Sequence, residues 1–239
     1  MKEILLNGAP HEHVNIYSTL EDLNPIFEER KHMKVILVNG SPHEHGCTYT
    51  ALKEMCPIFE AHGIESEIFW IGNKPISGCI ACGGCKKTGR CVINDSVNPF
   101  LDKAAEADGF IFGSPVHYAA ISGALSSFMD RAFYGKNSLF ADKPAAGVVS
   151  CRRGGASAAF DEINKYFTIN NMPVVASQYW NQVHGTTPEE VLQDLEGMQT
   201  MRTLAQNMSW LLKCIEAGDK AGVQRPQREP KTPTNFIRK

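Results

Sequence analysis

The sequence has no segment that could serve as a membrane anchor or as an export signal. It contains no run of about 18 apolar residues, and its amino terminus has no basic region followed by an apolar core. We therefore expect a soluble, cytoplasmic protein that is not exported and has no membrane partner.

An excess of charge of one sign is also missing. The chain has 24 lysines and arginines against 26 aspartates and glutamates, so no strong field attracts it to nucleic acid. We therefore expect a small-molecule partner and no nucleic acid. The 239 residues suffice for one large α/β domain or two small ones.

Two familiar phosphate-binding motifs are absent. The dinucleotide fingerprint G-x-G-x-x-G does not occur, and no lysine precedes Thr48 to complete G-x-x-x-x-G-K-[ST]. The sequence instead has an apolar strand at Val35–Asn39, a turn at Gly40-Ser41-Pro42, and a helix start at Gly46-Cys47-Thr48. Free N–H groups at a helix start, together with the hydroxyls of Ser41 and Thr48, suit a phosphate. An ordinary strand-to-helix turn is the alternative.

The pattern S-P-x-x-x-G-x-T after a first strand resembles the phosphate loop of flavodoxin-like NAD(P)H-dependent FMN reductases. The resemblance implies that the FMN phosphate is held by Ser41, His43, Gly46, Cys47 and Thr48. His43 and His45 also form an H-x-H pair. Because no carboxylate or third histidine lies at a spacing that would complete a metal site, we expect these histidines to flank the phosphate rather than to bind a metal.

Two later segments extend the resemblance to residues 33–180. Gly113–Tyr118 follows a third apolar strand and resembles the family's G-S-P-V-x-Y/F loop, which lies against the isoalloxazine ring. A fourth strand, Pro144–Ser150, leads to another loop of this kind. The resemblance assigns to the flavin Ser114, Pro115, Val116, His117, Tyr118, Ser150, Arg152, Arg153, Gly154 and Gly155. The alternatives are a core position for Tyr118, and solvent or subunit contacts for Arg152 and Arg153.

Four of the eight cysteines form a compact motif. In a protein that is not exported, cysteines indicate thiols or a metal centre before disulfides. The spacing C-x2-C-x2-C-x5-C in a glycine-rich loop suits an iron–sulfur cubane better than a zinc ribbon, whose ligands form two separated pairs. The loop resembles the cysteine motif of iron–sulfur flavoproteins, which implies a [4Fe-4S] cluster held by Cys79, Cys82, Cys85 and Cys91. Zinc and reduced structural thiols are the alternatives.

The first 32 residues repeat the segment that follows them. Met1–His13 aligns with Met33–His45 at an offset of 32 residues. In this copy, the phosphate-loop residues Ser41, Gly46 and Thr48 are replaced by Ala9, Val14 and Ile16. We expect the copy not to bind phosphate and to have no core of its own. The chain then divides into this duplicated segment (1–32), an FMN-binding domain (33–217) and an irregular tail (218–239).

The remaining pattern completes an α/β fold. We predict a second strand at Ile64–Ile71, a fifth at Asn171–Ser177, an aromatic loop at Gln178–Gly185, and one helix from Pro188 to about Ala217 with Thr187 as its N-cap. Five strands alternating with helices predict a doubly wound, five-stranded parallel sheet of flavodoxin-like order 2-1-3-4-5.

The resemblance as a whole implies an FMN-dependent NAD(P)H oxidoreductase. It would pass reducing equivalents to a quinone-like, nitro or other small acceptor, with the chemistry on the flavin and no side chain needed as acid or base. The alternative is an electron carrier that uses flavin and cluster between protein partners. Because an open ring face needs cover, we expect a homodimer or a dimer of dimers.

Overall fold

The structure, a computed structural model, describes residues 32–230, 232 and 234. Its sheet has five parallel strands and one short antiparallel strand, which are β1 (Lys34–Asn39), β2 (Glu65–Trp70), β3 (Gly109–His117), β4 (Ala120–Ile121), β5 (Ala145–Cys151) and β6 (Gln182–His184). The order is β2-β1-β3-β5-β6, and β4 pairs only with the end of β3. Without β4 this is the predicted order 2-1-3-4-5, so the predicted α/β fold is confirmed.

Seven helices accompany the described strands. They are α1 (Cys47–Ala61), α2 (Gly84–Thr88), α3 (Val97–Ala104), α4 (Gly123–Lys136), α5 (Ala156–Ile169), α6 (Pro188–Gln193) and α7 (Leu195–Lys220), and a 3-10 turn (Asn137–Leu139) follows α4. Helices α2 and α3 were not predicted from the sequence pattern. No helix in the described part of the chain is long and apolar enough to cross a membrane.

The sheet separates two apolar cores. Successive residues of a strand point to opposite faces, so Ile36 and Val38 enter one core while Val35 and Leu37 enter the other. All four are fully buried, as expected for a strand covered on both faces. The first core lies under α3, α4 and α5, and the second lies under α1 and α7. The strand ends lie between these layers, and this placement positions the loops described below.

The fifth parallel strand is not where the sequence placed it. The predicted segment Asn171–Ser177 makes only an isolated bridge, at Val174 beside Ala145. The chain then leaves the sheet in a turn, where the Ser177 hydroxyl donates to the Tyr179 carbonyl at 2.6 Å. It returns as β6, inside the segment that we predicted to be a loop, and β6 pairs with the carboxyl end of β5.

The long helix predicted from Pro188 is divided in two. Asp194 interrupts it, since its side chain accepts from the backbone N–H groups of Gly197 at 2.9 Å and of His184 at 2.7 Å. One carboxylate therefore caps α7 and ties it to the end of β6. The predicted N-cap of α6 is confirmed, because the Thr187 side chain accepts from the Glu190 N–H.

The predicted duplication of residues 1–32 lies outside the described residues, apart from His32. At the other end, α7 continues to Lys220, and residues 223–230 have neither helix nor strand. The boundaries that we assigned to the domain and the tail stay predictions.

Candidate functional site

Three segments lie at the carboxyl ends of the adjacent strands β1, β3 and β5. We call them loop A (residues 40–46), loop B (residues 114–122, which includes the β3–β4 hairpin) and loop C (residues 152–155). The Ser122 hydroxyl donates to the Gly40 carbonyl at 2.7 Å and joins loop B to loop A. The hydroxyls of Thr48 and Ser150, 2.8 Å apart, join the start of α1 to the end of β5. The structure thus brings the predicted flavin residues of all three segments to one edge of the sheet.

Close backbone packing draws the same loops together. A side chain at Gly40 would come within 2.8 Å of the Gly113 carbonyl on β3. A side chain at Gly155, which has φ of +88°, would come within 2.9 Å of the Val116 side chain. Glycine at these two positions therefore allows loop A to approach β3 and loop C to approach loop B.

Loop A is supported from inside by hydrogen bonds that the sequence pattern did not predict. The buried Asn39 side chain donates to the Glu44 carbonyl at 2.9 Å and accepts from the Ser41 N–H at 3.1 Å. Trp70, from the end of β2, donates its indole N–H to the Ser41 carbonyl at 2.8 Å. An amide that closes an otherwise apolar strand was the available signal for Asn39. No local pattern pointed to Trp70, because its partner is 29 residues away.

The start of α1 has donors suited to a phosphate. No side chain caps this helix, and Gly46 precedes its first turn, so the N–H groups of that turn have no intrahelical partners. The buried hydroxyls of Ser41 and Thr48 lie at the same end. Uncapped N–H groups and hydroxyls bind a phosphate dianion at a helix start, so the donor set fits the phosphate of FMN.

Two cysteines, Cys47 and Cys151, lie close to these loops and carry neutral thiols. Burial raises the pKa of the Cys47 thiol, and burial likewise raises the pKa of the Cys151 thiol. Neither side chain would therefore repel a phosphate at neutral pH. Cys151 is buried among apolar residues, so its thiol packs inside the protein.

Loop B differs from the predicted loop Gly113–Tyr118, because most of that segment is strand. Strand β3 continues through Ser114, Pro115 and Val116 to His117, and the chain folds back at once as β4. Tyr118, at the tip, is fully exposed with φ of +59°, so the alternative of a core aromatic is wrong. A non-glycine residue at positive φ is uncommon and costs about 1–3 kcal/mol. The hairpin therefore holds an aromatic ring outward at this edge of the sheet.

Loop C is open to solvent. Arg152, Arg153, Gly154 and Gly155 are all exposed, while Ser150, just before them, is buried. Helix α5 begins directly after Gly155 and has no side-chain cap. The loop therefore presents free N–H groups and two cationic side chains next to loop B, where negative charge on a ligand would be stabilised.

The four motif cysteines line one pocket. Cys79 and Cys82 are exposed, Cys85 and Cys91 are half-buried, and all eight cysteines are unpaired. The pocket is completed by Ile80, Gly83, Val92, Ile93, Arg131 and Tyr134. Helix α2 lies within the cysteine motif and contributes Cys85 to the pocket. Gly83 before this helix and Gly89 after it both have left-handed backbones.

The four cysteine sulfurs lie around the pocket and are not gathered at one point. Within the described residues, no three histidine, cysteine or acidic side chains are placed to hold one metal ion. A zinc site needs four ligands around one ion, whereas in a cubane each thiolate binds a different iron. The donor set of four thiols around one pocket, with the Arg131 guanidinium beside it, is of the type that holds an iron–sulfur cluster.

Comparison with known proteins agrees with these observations. The family model for NADPH-dependent FMN reductases matches residues 33–187. An iron–sulfur flavoprotein of Methanocaldococcus jannaschii is 33% identical over 165 residues, which cover 64% of this chain and 84% of that protein.

Two solved structures have the same fold. RosB with a bound 8-demethyl-8-formylriboflavin-5′-phosphate intermediate superposes with a TM-score of 0.61 at 15% identity, covering 85% of this chain and 92% of RosB. Rubredoxin oxygen:oxidoreductase of Desulfovibrio gigas gives 0.56 at 16% identity, covering 78% of this chain and only 38% of the larger protein. At these identities the likeness shows the fold alone.

Proposed function

The chain belongs to the family of NADPH-dependent FMN reductases and has iron–sulfur flavoproteins among its relatives, and from that premise we propose that it is an FMN-dependent oxidoreductase. It takes reducing equivalents from NAD(P)H and passes them to a small acceptor of the quinone or nitro type. The observation that carries the proposal is the joining of three loops at adjacent strand ends by the Ser122–Gly40 and Thr48–Ser150 hydrogen bonds.

Each loop has its own task in this proposal. Ser41, Thr48 and the first N–H groups of α1 bind the phosphate, and the hydrogen bonds of Asn39 hold loop A in shape for it. Loop B supports the ring, and the exposed Tyr118 covers its edge. Loop C adds positive potential, which favours negative charge on the ring. FMN, when bound, supplies the hydride and electron chemistry.

Anaerobic reduction tests this function. The full chain loaded with FMN should lose its flavin absorption band when NADPH or NADH is added, and a quinone should restore the band. Reduction by dithionite but by neither nicotinamide would contradict the proposed electron donor. Free FMN at equal concentration is the control for direct reduction.

We further propose that the cysteine pocket holds a [4Fe-4S] cluster. Anaerobically purified protein should contain iron and sulfide, and Cys82→Ala should lose iron while FMN, which other loops hold, remains. Cys214→Ala is the matched control, because Cys214 is exposed like Cys82 and lies on α7 outside the pocket. Iron-free protein after anaerobic reconstitution would leave only the structural-thiol alternative.

The pocket also supports the second candidate function, electron transfer between protein partners. Two of its cysteines and its rim residues Ile80, Val92 and Tyr134 are exposed, so another protein can approach the cluster directly. Reduction only by a low-potential protein donor such as a ferredoxin, and not by NAD(P)H, would favour this function over the first.

We propose in addition that a second copy of the chain covers the flavin. Tyr118 is fully exposed, and Tyr179 and Trp180, whose ring centres are 5.3 Å apart, are each about half exposed. Exposed aromatic groups of this kind are typical of interface anchors. Sedimentation should show a dimer or larger assembly at micromolar concentration, and a monomer with full NAD(P)H activity would contradict the shared cover.

A further inference from the structure

Helix α4 carries a buried cation at the cysteine pocket. Arg131 is only 2% exposed. Its Nε and Nη2 atoms both donate to the Cys91 sulfur, each at 3.2 Å. Two N–H groups of one guanidinium therefore point at a single candidate cluster ligand.

The same guanidinium joins both ends of the cysteine segment. Nη1 donates to the Ser77 carbonyl at 3.2 Å, before the first cysteine, and Nη2 donates to the Ile93 carbonyl at 3.1 Å, after the last. Both nitrogens also bind the Asp95 carboxylate. The buried charge is thus paired and its donors are used, as such a group requires.

Cys91 is held from a second side by its backbone. The Asn98 side chain accepts from the Cys91 N–H at 2.9 Å and donates to the Cys91 carbonyl at 2.9 Å. Asn98 fixes the main chain while Arg131 fixes the sulfur. This cysteine therefore has a set direction before any metal is bound.

Helix α4 also begins at the candidate flavin site. Its N-cap is Ser122, which accepts from the Leu125 N–H at 3.1 Å and donates to loop A. Arg131 lies eight residues after Gly123, which is about 12 Å along the helix axis. A single helix therefore connects loop A and loop B with the sulfur of Cys91.

We propose that Arg131 is a positioning residue of the cysteine pocket, which orients Cys91 as a cluster ligand and raises the reduction potential of the cluster. This inference rests on the proposed cluster. Reduction adds one electron, supplied by an external reductant, and breaks no bond to Cys91. The added negative charge spreads onto the sulfurs, so N–H donors and a nearby cation stabilise the reduced form more than the oxidised form.

Potentiometric titration of the reconstituted full chain, followed by EPR, tests the proposal. Arg131→Gln should lower the reduction potential of the cluster by at least 59 mV, which for one electron is a tenfold shift toward the oxidised cluster. It should also lower the iron retained after gel filtration, while FMN content stays at the wild-type level. Arg131→Lys keeps the positive charge but not the planar set of N–H donors. Its reduction potential and its retained iron should therefore fall between those of Arg131→Gln and wild type.

Arg90→Gln is the matched control. Arg90 lies beside Cys91 in the sequence, and its exposed guanidinium pairs with Asp102. Its replacement also removes one positive charge near Cys91, but it removes no donor to the sulfur, because the Arg90 guanidinium donates to Asp102. A potential for Arg131→Gln equal to that of Arg90→Gln, with iron retained in both, would overturn the positioning role and leave the cluster proposal intact. Iron-free wild-type protein would overturn both.

A measurement on the wild type covers the case in which Arg131→Gln fails to fold. Protein labelled with [¹⁵N]arginine should show a ¹⁵N coupling in the pulsed EPR spectrum of the reduced cluster, and Arg90→Gln should keep it. Absence of that coupling in a cluster-loaded wild type would overturn the inference.

Discussion

Replacement of Thr48 by valine separates the phosphate site from a general role of α1 in folding. Valine keeps the shape of threonine, including the methyl group that packs against Gly113, and removes only the hydroxyl. Thr48 is 1% exposed and Ser150 is 3% exposed. The change therefore leaves a buried Ser150 hydroxyl without its partner at 2.8 Å.

Two separate effects are expected from this change. Without FMN, the unpaired Ser150 hydroxyl should lower the free energy of unfolding by about 1–3 kcal/mol. With FMN, loss of a hydrogen bond to a charged phosphate should cost a further amount of about 1.5–3 kcal/mol. That second cost corresponds to roughly a ten- to hundredfold rise in the dissociation constant.

Flavin fluorescence titration of folded protein measures the second effect, and urea denaturation of the apoprotein measures the first. Thr50→Val is the control, because Thr50 lies on the same turn and its hydroxyl bonds only the Gly46 carbonyl, which also accepts from the Thr50 N–H. An FMN affinity of Thr48→Val within twofold of Thr50→Val would refute the assignment of the phosphate to loop A.

Three further predictions concern stability and the duplicated segment. Ser122→Ala should lower the free energy of unfolding, measured by urea denaturation, by about 2–4 kcal/mol, because it removes the cap of α4 and leaves the buried Gly40 carbonyl without its hydrogen bond. Thr187→Ala removes only the exposed cap of α6, so it should lower the free energy of unfolding by about 1 kcal/mol. Burial acts to raise the pKa of Glu67, but hydrogen bonds from two lysines outweigh it and lower that pKa. Its contribution should be present at neutral pH and lost as pH falls below about 4.3, and Glu67→Gln should flatten this part of a stability-versus-pH curve. A chain that begins at Met33 should bind FMN with the affinity of the full chain, and loss of binding on that truncation would show that the first copy contributes to the site.

Most of the sheet could be predicted because its central strands are continuous apolar runs. Val35–Asn39 is followed by a turn that glycine and proline mark, and local pattern is sufficient there. The fifth strand could not be placed in this way. Val174 and Val175 are as strand-like as Val183, and the long-range pairing of Gln182–His184 with β5 decides between the segments.

The candidate site was predicted where the residues that act are close in sequence. The loop A pattern and the cysteine spacing each lie within a short segment, so both could be predicted from the sequence. The partnership of Thr48 with Ser150 spans 102 residues, and that of Arg131 with Cys91 spans 40. Such contacts depend on the finished packing of the sheet and α4, and sequence spacing alone does not specify them.

A crystal structure of the full chain with FMN tests the central claim most directly. The phosphate should lie within hydrogen-bond distance of the Ser41 and Thr48 hydroxyls and the first N–H groups of α1, with the isoalloxazine ring between loop B and loop C. Electron density for FMN at any other part of the surface, or a phosphate with no contact to loop A, would contradict it.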